Sequence, residues 1–121
     1  MKRGKKSANE RAARNRCIPV VYARSRGICE RCGRREGESY HHRVNRSQGG
    51  WWTVDNIVHL CGDGVRGCHG WVTEHPSAAA DEGFHVKRWE DPASVPILLH
   101  GAQRVLLRND GTYHYMEEIE E

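Results

Sequence analysis

At 121 residues the chain has room for one domain, and a 37% hydrophobic content with a mean hydropathy of −0.81 leaves that domain a small core. No apolar stretch follows the basic N-terminus, so neither a signal peptide nor a membrane-spanning segment nor a membrane partner is expected, and a cytoplasmic, reducing setting is. The net charge of +3 hides an asymmetry: residues 1–26 hold nine Lys/Arg against Glu10, a net +8, which leaves −5 for the remainder and points to a phosphate-bearing partner for the basic start.

In chain order, residues 1–16 carry too few apolar side chains to pack and read as a basic flexible arm, or a helix formed only on DNA, with Lys5 and Lys6 among its contacts. The ordered domain is expected over 17–116. Pro19 suits the first turn of a short helix through Val20, Val21, Tyr22 and Ala23, which Gly27 is placed to end. Tyr40 to Val44 reads as a strand, the polar run from Asn45 to Gly50 as a wide loop, and Ile57 to Leu60 as a second strand antiparallel to the first. Cys68 to Glu74 reads as a short helix despite Gly70 and completes a strand-strand-helix unit. Pro76 starts a further turn through Ala78, Ala79 and Ala80, stopped by Gly83. Phe84 to Trp89 reads as extended, and Ile97-Leu98-Leu99 and Val105-Leu106-Leu107 as short strands. Asn109-Asp110-Gly111 is a turn before Tyr113 and Tyr115, and 117–121 an acidic solvated tail. The class is α+β, with short helices flanking the central unit and a short C-terminal β-hairpin.

Cys29-x2-Cys32 followed by Gly33 forms a knuckle that turns two thiolates toward one point. Cys61 and Cys68 supply a second pair from the end of the second strand and the start of the helix. Four thiolates make a closed tetrahedral site for a structural zinc ion, a staple that a small core needs. Two alternatives stand beside this one: reduced or disulfide-bonded thiols, and a variant in which His69 replaces Cys68. Neighbouring helical residues point about 100° apart, which lets Cys68 and His69 serve two different sites. Cys17 is left over as a half-buried or free thiol beside Pro19.

His41 and His42 sit side by side on the first strand, where successive side chains face opposite sides. One imidazole can bind a metal while the other takes a proton from water. The order His41-His42, Asn56, Cys61, Cys68-His69, with glycines between the strands, resembles the HNH endonucleases, the ββα-metal or His-Me finger nucleases. The likeness spans Cys29 to about Pro76. Cys68-His69-Gly70-Trp71-Val72 with His75-Pro76, then Asp91-Pro92-Ala93 and Val95-Pro96, look like HNH proteins common in bacteriophages.

The resemblance implies a zinc-stapled ββα-metal domain with its core over 29–76. It implies that His41 and His69 hold a catalytic divalent ion (Mg, Mn, Co, Ni or Zn), that His42 is the general base, and that Asn56 positions that base through backbone or imidazole. The activity implied is hydrolysis of DNA phosphodiesters to 3′-hydroxyl and 5′-phosphate ends, in a bacterial host cytoplasm if the chain is phage-encoded. Several members carry a second helix histidine four residues after the first. Here that position is Thr73, and water, a phosphate oxygen or His75 are the candidates to replace it. Arg43, Arg46 and Arg66 lie near the cleft in sequence and are expected to hold phosphates. Trp51 and Trp52 are expected to stack on bases or to close the core, the latter for at least one. The competing functions are a non-catalytic zinc module that binds nucleic acid and an accessory of a phage packaging machine.

Overall fold

A computed structural model describes residues 2–116, with side chains from residue 7 onward; the acidic tail expected at 117–121 lies outside the described residues, as do the side chains of Lys5 and Lys6. In place of an arm and a short helix, one α-helix, α1, runs from Lys2 to Ser25. The boundary expected at 16/17 falls inside it, and Pro19 is an interior residue rather than the first turn. The physical reason is a stripe at intervals of four, four and three, Ala13, Cys17, Val21 and Arg24, all buried, on one face of an otherwise charged helix. Pro19 and Asn15, whose carbonyl Pro19 cannot serve, are both exposed, so water can meet the orphaned acceptor. The helix ends where expected, with Gly27 at φ +76 and its N–H donating to the Tyr22 carbonyl at 3.3 Å.

Strand β1 (Ser39–His42) pairs antiparallel with β2 (Ile57–Leu60), Ser39 opposite Leu60 and His42 opposite Ile57. β1 stops two residues earlier than expected because the Asn56 side chain takes over from the ladder: its Oδ1 accepts from the Val44 N–H at 2.8 Å. Helix α2 (Gly67–Glu74) follows, then α3 (Pro76–Asp81). Phe84 to Trp89 forms no strand. Its N–H groups go elsewhere, Phe84 to the Ala79 carbonyl and Val86 to the Arg43 carbonyl, both at 2.9 Å. The C-terminal region is a three-stranded meander rather than a hairpin: β3 (Ile97–Leu99), β4 (Gln103–Leu107) and β5 (Tyr113–Tyr115).

Two apolar clusters result. The larger joins Val58, Leu60, Val72, Phe84, Ile97, Val105 and Leu107 to Cys29, Cys61 and Cys68, so three of the cysteines are themselves core. The smaller sets Cys17 and Val21 of α1 on Val54 and Ile57, with Tyr40 and Trp52 at its edge. The leftover Cys17 is thus a buried packing residue, its thiol pushed up to about 11 chiefly by burial.

Glu30, inside the Cys29–Cys32 knuckle, is fully buried and ties the layers together. Its carboxylate accepts from Arg24 through Nε and Nη2, both at 2.8 Å, from the His59 N–H at 2.8 Å and from the Tyr113 hydroxyl at 2.6 Å. Arg24 also donates to the Val54 and Ile57 carbonyls. Removing one partner of a buried pair strands the other's charge, so Glu30→Gln is expected to lower stability by about 3–5 kcal/mol. A urea midpoint unchanged from wild type in the metal-loaded protein would contradict that.

Candidate functional site

The four cysteines expected to meet do so: the sulfurs of Cys29, Cys32, Cys61 and Cys68 all lie within 4.8 Å of one another, positioned to bind a metal ion. Backbone geometry builds the second half of the cage. Gly62 has φ +77, and a Cβ there would stand 2.0 Å from the Arg66 carbonyl oxygen, so the chain doubles back and delivers Cys68 beside Cys61. Gly70, the residue that weakened the helix expectation, is where the 63–66 loop lies on α2; a Cβ there would stand 2.6 Å from the Val65 carbonyl carbon. The Cys32 and Cys68 N–H groups donate to the sulfurs of Cys29 (3.5 Å) and Cys61 (3.4 Å). Arg31 lies 3.6 Å over the Trp71 ring, bonds Glu82, and donates from Nη1 to the Cys68 sulfur at 3.5 Å, setting a positive charge beside the thiolates. The Cys29 thiol is drawn down to about 4, first by the hydrogen bond from Cys68, which is pushed up in exchange.

Cys68 and His69 do face different ways. His69 leaves the cage and its ring centroid lies 5.2 Å from that of His41, the planes at 64°. Each imidazole is fixed by one nitrogen. His41 Nε2 donates to the Phe84 carbonyl at 2.7 Å. His69 Nδ1 is 2.8 Å from the Ser39 hydroxyl, whose own proton goes to the Gly62 carbonyl at 2.8 Å, so Ser39 accepts from His69. The remaining nitrogens, His41 Nδ1 and His69 Nε2, keep their lone pairs and have no hydrogen-bond partner among the described residues. Burial is the first cause that lowers the pKa of both rings, that of His41 to about 3.

His42 stands apart, on the opposite face of β1 as strand alternation requires. It meets the Trp52 ring edge-on at 4.5 Å, and its Nε2 is buried with no partner. Burial first, then the nearby Arg46 charge, lowers its pKa to about 4, with Glu10 of α1 acting in the other direction. Asn56 makes no bond to the imidazole. It pins the loop that follows His42: besides accepting from Val44, its Nδ2 donates to the carbonyls of Trp51 (3.1 Å) and Val44 (3.3 Å).

Arg43 corrects the expectation of a phosphate contact. It is fully buried, and its guanidinium donates to the carbonyls of Gly83, Asp55, Pro92 and Val95, sewing the 83–95 segment to the end of β1. Arg46 and Arg66 are exposed and pair with Glu10 and Asp63 respectively. Arg46 lines a cleft of about 460 Å³ with Glu10, Trp51 and Trp52. Trp52 closes the smaller cluster, whereas Trp51 is 43% exposed. Thr73 donates to the His69 carbonyl, and His75 stacks on Trp71 with its Nδ1 on the Trp71 carbonyl.

Two histidine-facing residues escaped sequence reading. Ser39, which orients His69, is an ordinary strand serine. His85, on the segment after α3, reaches a centroid distance of 5.3 Å from His41; nothing in its local sequence marks it, because its neighbours come from the other end of the domain.

No helix among the described residues is long and apolar enough to cross a membrane. No protein-family model matches the chain, and neither does any curated protein or solved structure.

Proposed function

We propose that the chain is a metal-dependent DNA endonuclease of the HNH type, stapled by a structural zinc ion in the four-cysteine cage. The zinc assignment is supported by spacing: Zn–S bonds of about 2.3 Å hold tetrahedral sulfurs about 3.8 Å apart, and the Cys32 and Cys61 sulfurs stand 4.0 Å apart. One observation carries the nuclease reading. His41 from β1 and His69 from α2 face each other with one nitrogen each held by the fold and one lone pair free, the arrangement of ligands whose outer partners fix their tautomer.

In this reading His42 takes a proton from the water that attacks phosphorus, as the bond to the 3′ oxygen breaks. His41 and His69 hold a divalent ion, which when bound supplies Lewis acidity at the phosphate and at the departing oxygen. Asn56 keeps the loop after His42 in shape. The exposed basic residues of α1, with Arg46 and Arg66, carry DNA through its phosphates.

A second reading, a zinc-containing DNA-binding module that does not cut, is favoured by the sealed Nε2 of His42 beneath Trp52. Supercoiled plasmid incubated with the zinc-loaded protein and Mg, Mn, Co, Ni or Zn in turn separates the two. Conversion to open-circular DNA, abolished by a chelator and restored by the divalent ion, is the expected result. DNA retarded in a gel but left supercoiled with every ion would sink the nuclease and leave the binding module.

A further inference from the structure

We propose that His85 is the third imidazole of the divalent-ion centre, filling from outside the strand-strand-helix unit the place that Thr73 leaves empty; this rests on the reading of His41 and His69 as ligands. Three observations carry it.

The first is position. The His85 Nε2 donates to the carbonyl of Val72 at 2.9 Å, so the ring lies against α2 one residue before Thr73 and one turn beyond His69. A histidine at 73 would itself project from that turn of the helix, whereas Thr73 turns its hydroxyl back to the His69 carbonyl and His75 is taken up by Trp71. The second is spacing. The His85 and His69 rings stand 5.3 and 5.2 Å from the His41 ring. Two imidazoles bound at about 2.1 Å to one tetrahedral ion place their centroids about 5 Å apart. The third is tautomer. All three rings are tethered through one nitrogen, His41 to Phe84, His69 to Ser39 and His85 to Val72. With Nε2 of His85 donating to a carbonyl, its Nδ1 is the atom left with a lone pair, as in His41.

Among the described residues the cysteines are the only candidate ligands brought within 4.8 Å of one another in a set of three or more. The three imidazoles are not gathered into such a cluster without an ion, so holding one between them requires the rings to draw together. The neighbouring residue Phe84 supplies the carbonyl that fixes His41, so one short segment both orients the first ligand and presents the third.

The test uses the full chain with its cage filled by zinc, titrated with Co(II) and followed by calorimetry and by visible absorption. Absence of a thiolate-to-cobalt band shows that the cage keeps its zinc. His85→Gln retains a donor for the Val72 carbonyl but offers no imidazole. It is expected to weaken Co(II) binding about tenfold or more, as His69→Ala does, and Thr73→His added to His85→Gln is expected to restore it. Binding that falls in His69→Ala but not in His85→Gln overturns the role of His85 and leaves the nuclease reading standing. Failure of Thr73→His to repair the loss also counts against the assignment. A wild-type protein that takes up no second ion overturns both.

Discussion

Cys32→Ser, or removal of the proposed zinc by a strong chelator, is expected to unfold the domain outright. The cage is where three structural layers meet: the knuckle that follows α1, the end of β2 and the start of α2. Cys29, Cys61 and Cys68 belong to the main apolar cluster, so opening the cage also opens the core. Magnitudes decide the outcome. A domain of this size is stable by about 5–15 kcal/mol, and a structural zinc contributes on the order of 10–16 kcal/mol in small metal-folded modules. Once that is lost, little holds a 37% hydrophobic chain folded. Glu30 would go with it, since in the chain it lies between the cage residues Cys29 and Cys32. Circular dichroism and bound-metal content, measured together, check this. A Cys32→Ser chain that stays folded at 25 °C without metal would refute the staple.

The elements that sequence reasoning located well are those whose signals are local. Cys29-x2-Cys32 is a turn of fixed geometry, Ile57 to Leu60 starts after the polar Asp55-Asn56 and stops before Gly62, and Pro76 and Gly83 punctuate α3. Elements whose burial is set by distant partners are illegible locally. The first two thirds of α1 read as an arm because the buried stripe begins there with Ala13 and Cys17, which have little hydrophobic weight of their own; Cys17 and Val21 are covered only by the distant Val54 and Ile57. Arg43 reads as a phosphate contact in sequence because a positive charge near two histidines suggests one. Its carbonyl partners at 55, 83, 92 and 95 are distant in sequence and carry no side-chain signal at all. His85 escaped for the same reason. The cysteine cage was legible as a set of spacings, whereas the histidine face is a product of the tertiary fold.

The separation of His42 from His41 makes the base assignment testable apart from the metal. Its Nε2 has no hydrogen-bond partner, and no bond involves Nδ1 among the described residues. His42→Ala therefore removes a ring that holds nothing in place by hydrogen bonding. Zinc content and Co(II) affinity are expected to stay at wild-type values while divalent-dependent cleavage falls by about 10²–10⁴, the range for loss of a general base. With Nε2 buried, the base reading assigns the proton transfer to Nδ1.

The folded pKa of His42, about 4, lies below the ordinary imidazole value of about 6.5. At pH 6 the folded ring is still the neutral base, so titration of His42 should not cut the rate as the pH falls through 6.5. The unfolded chain, in contrast, binds this proton from about 6.5 downward. The stability that His42 contributes is therefore complete above that pH and drains away toward pH 4. His42→Asn should flatten that part of the curve, which denaturant midpoints at pH 7.5, 6.0 and 5.0 would show. Undiminished cutting by His42→Ala would move the base elsewhere and leave the paired imidazoles of His41 and His69 to be explained without it.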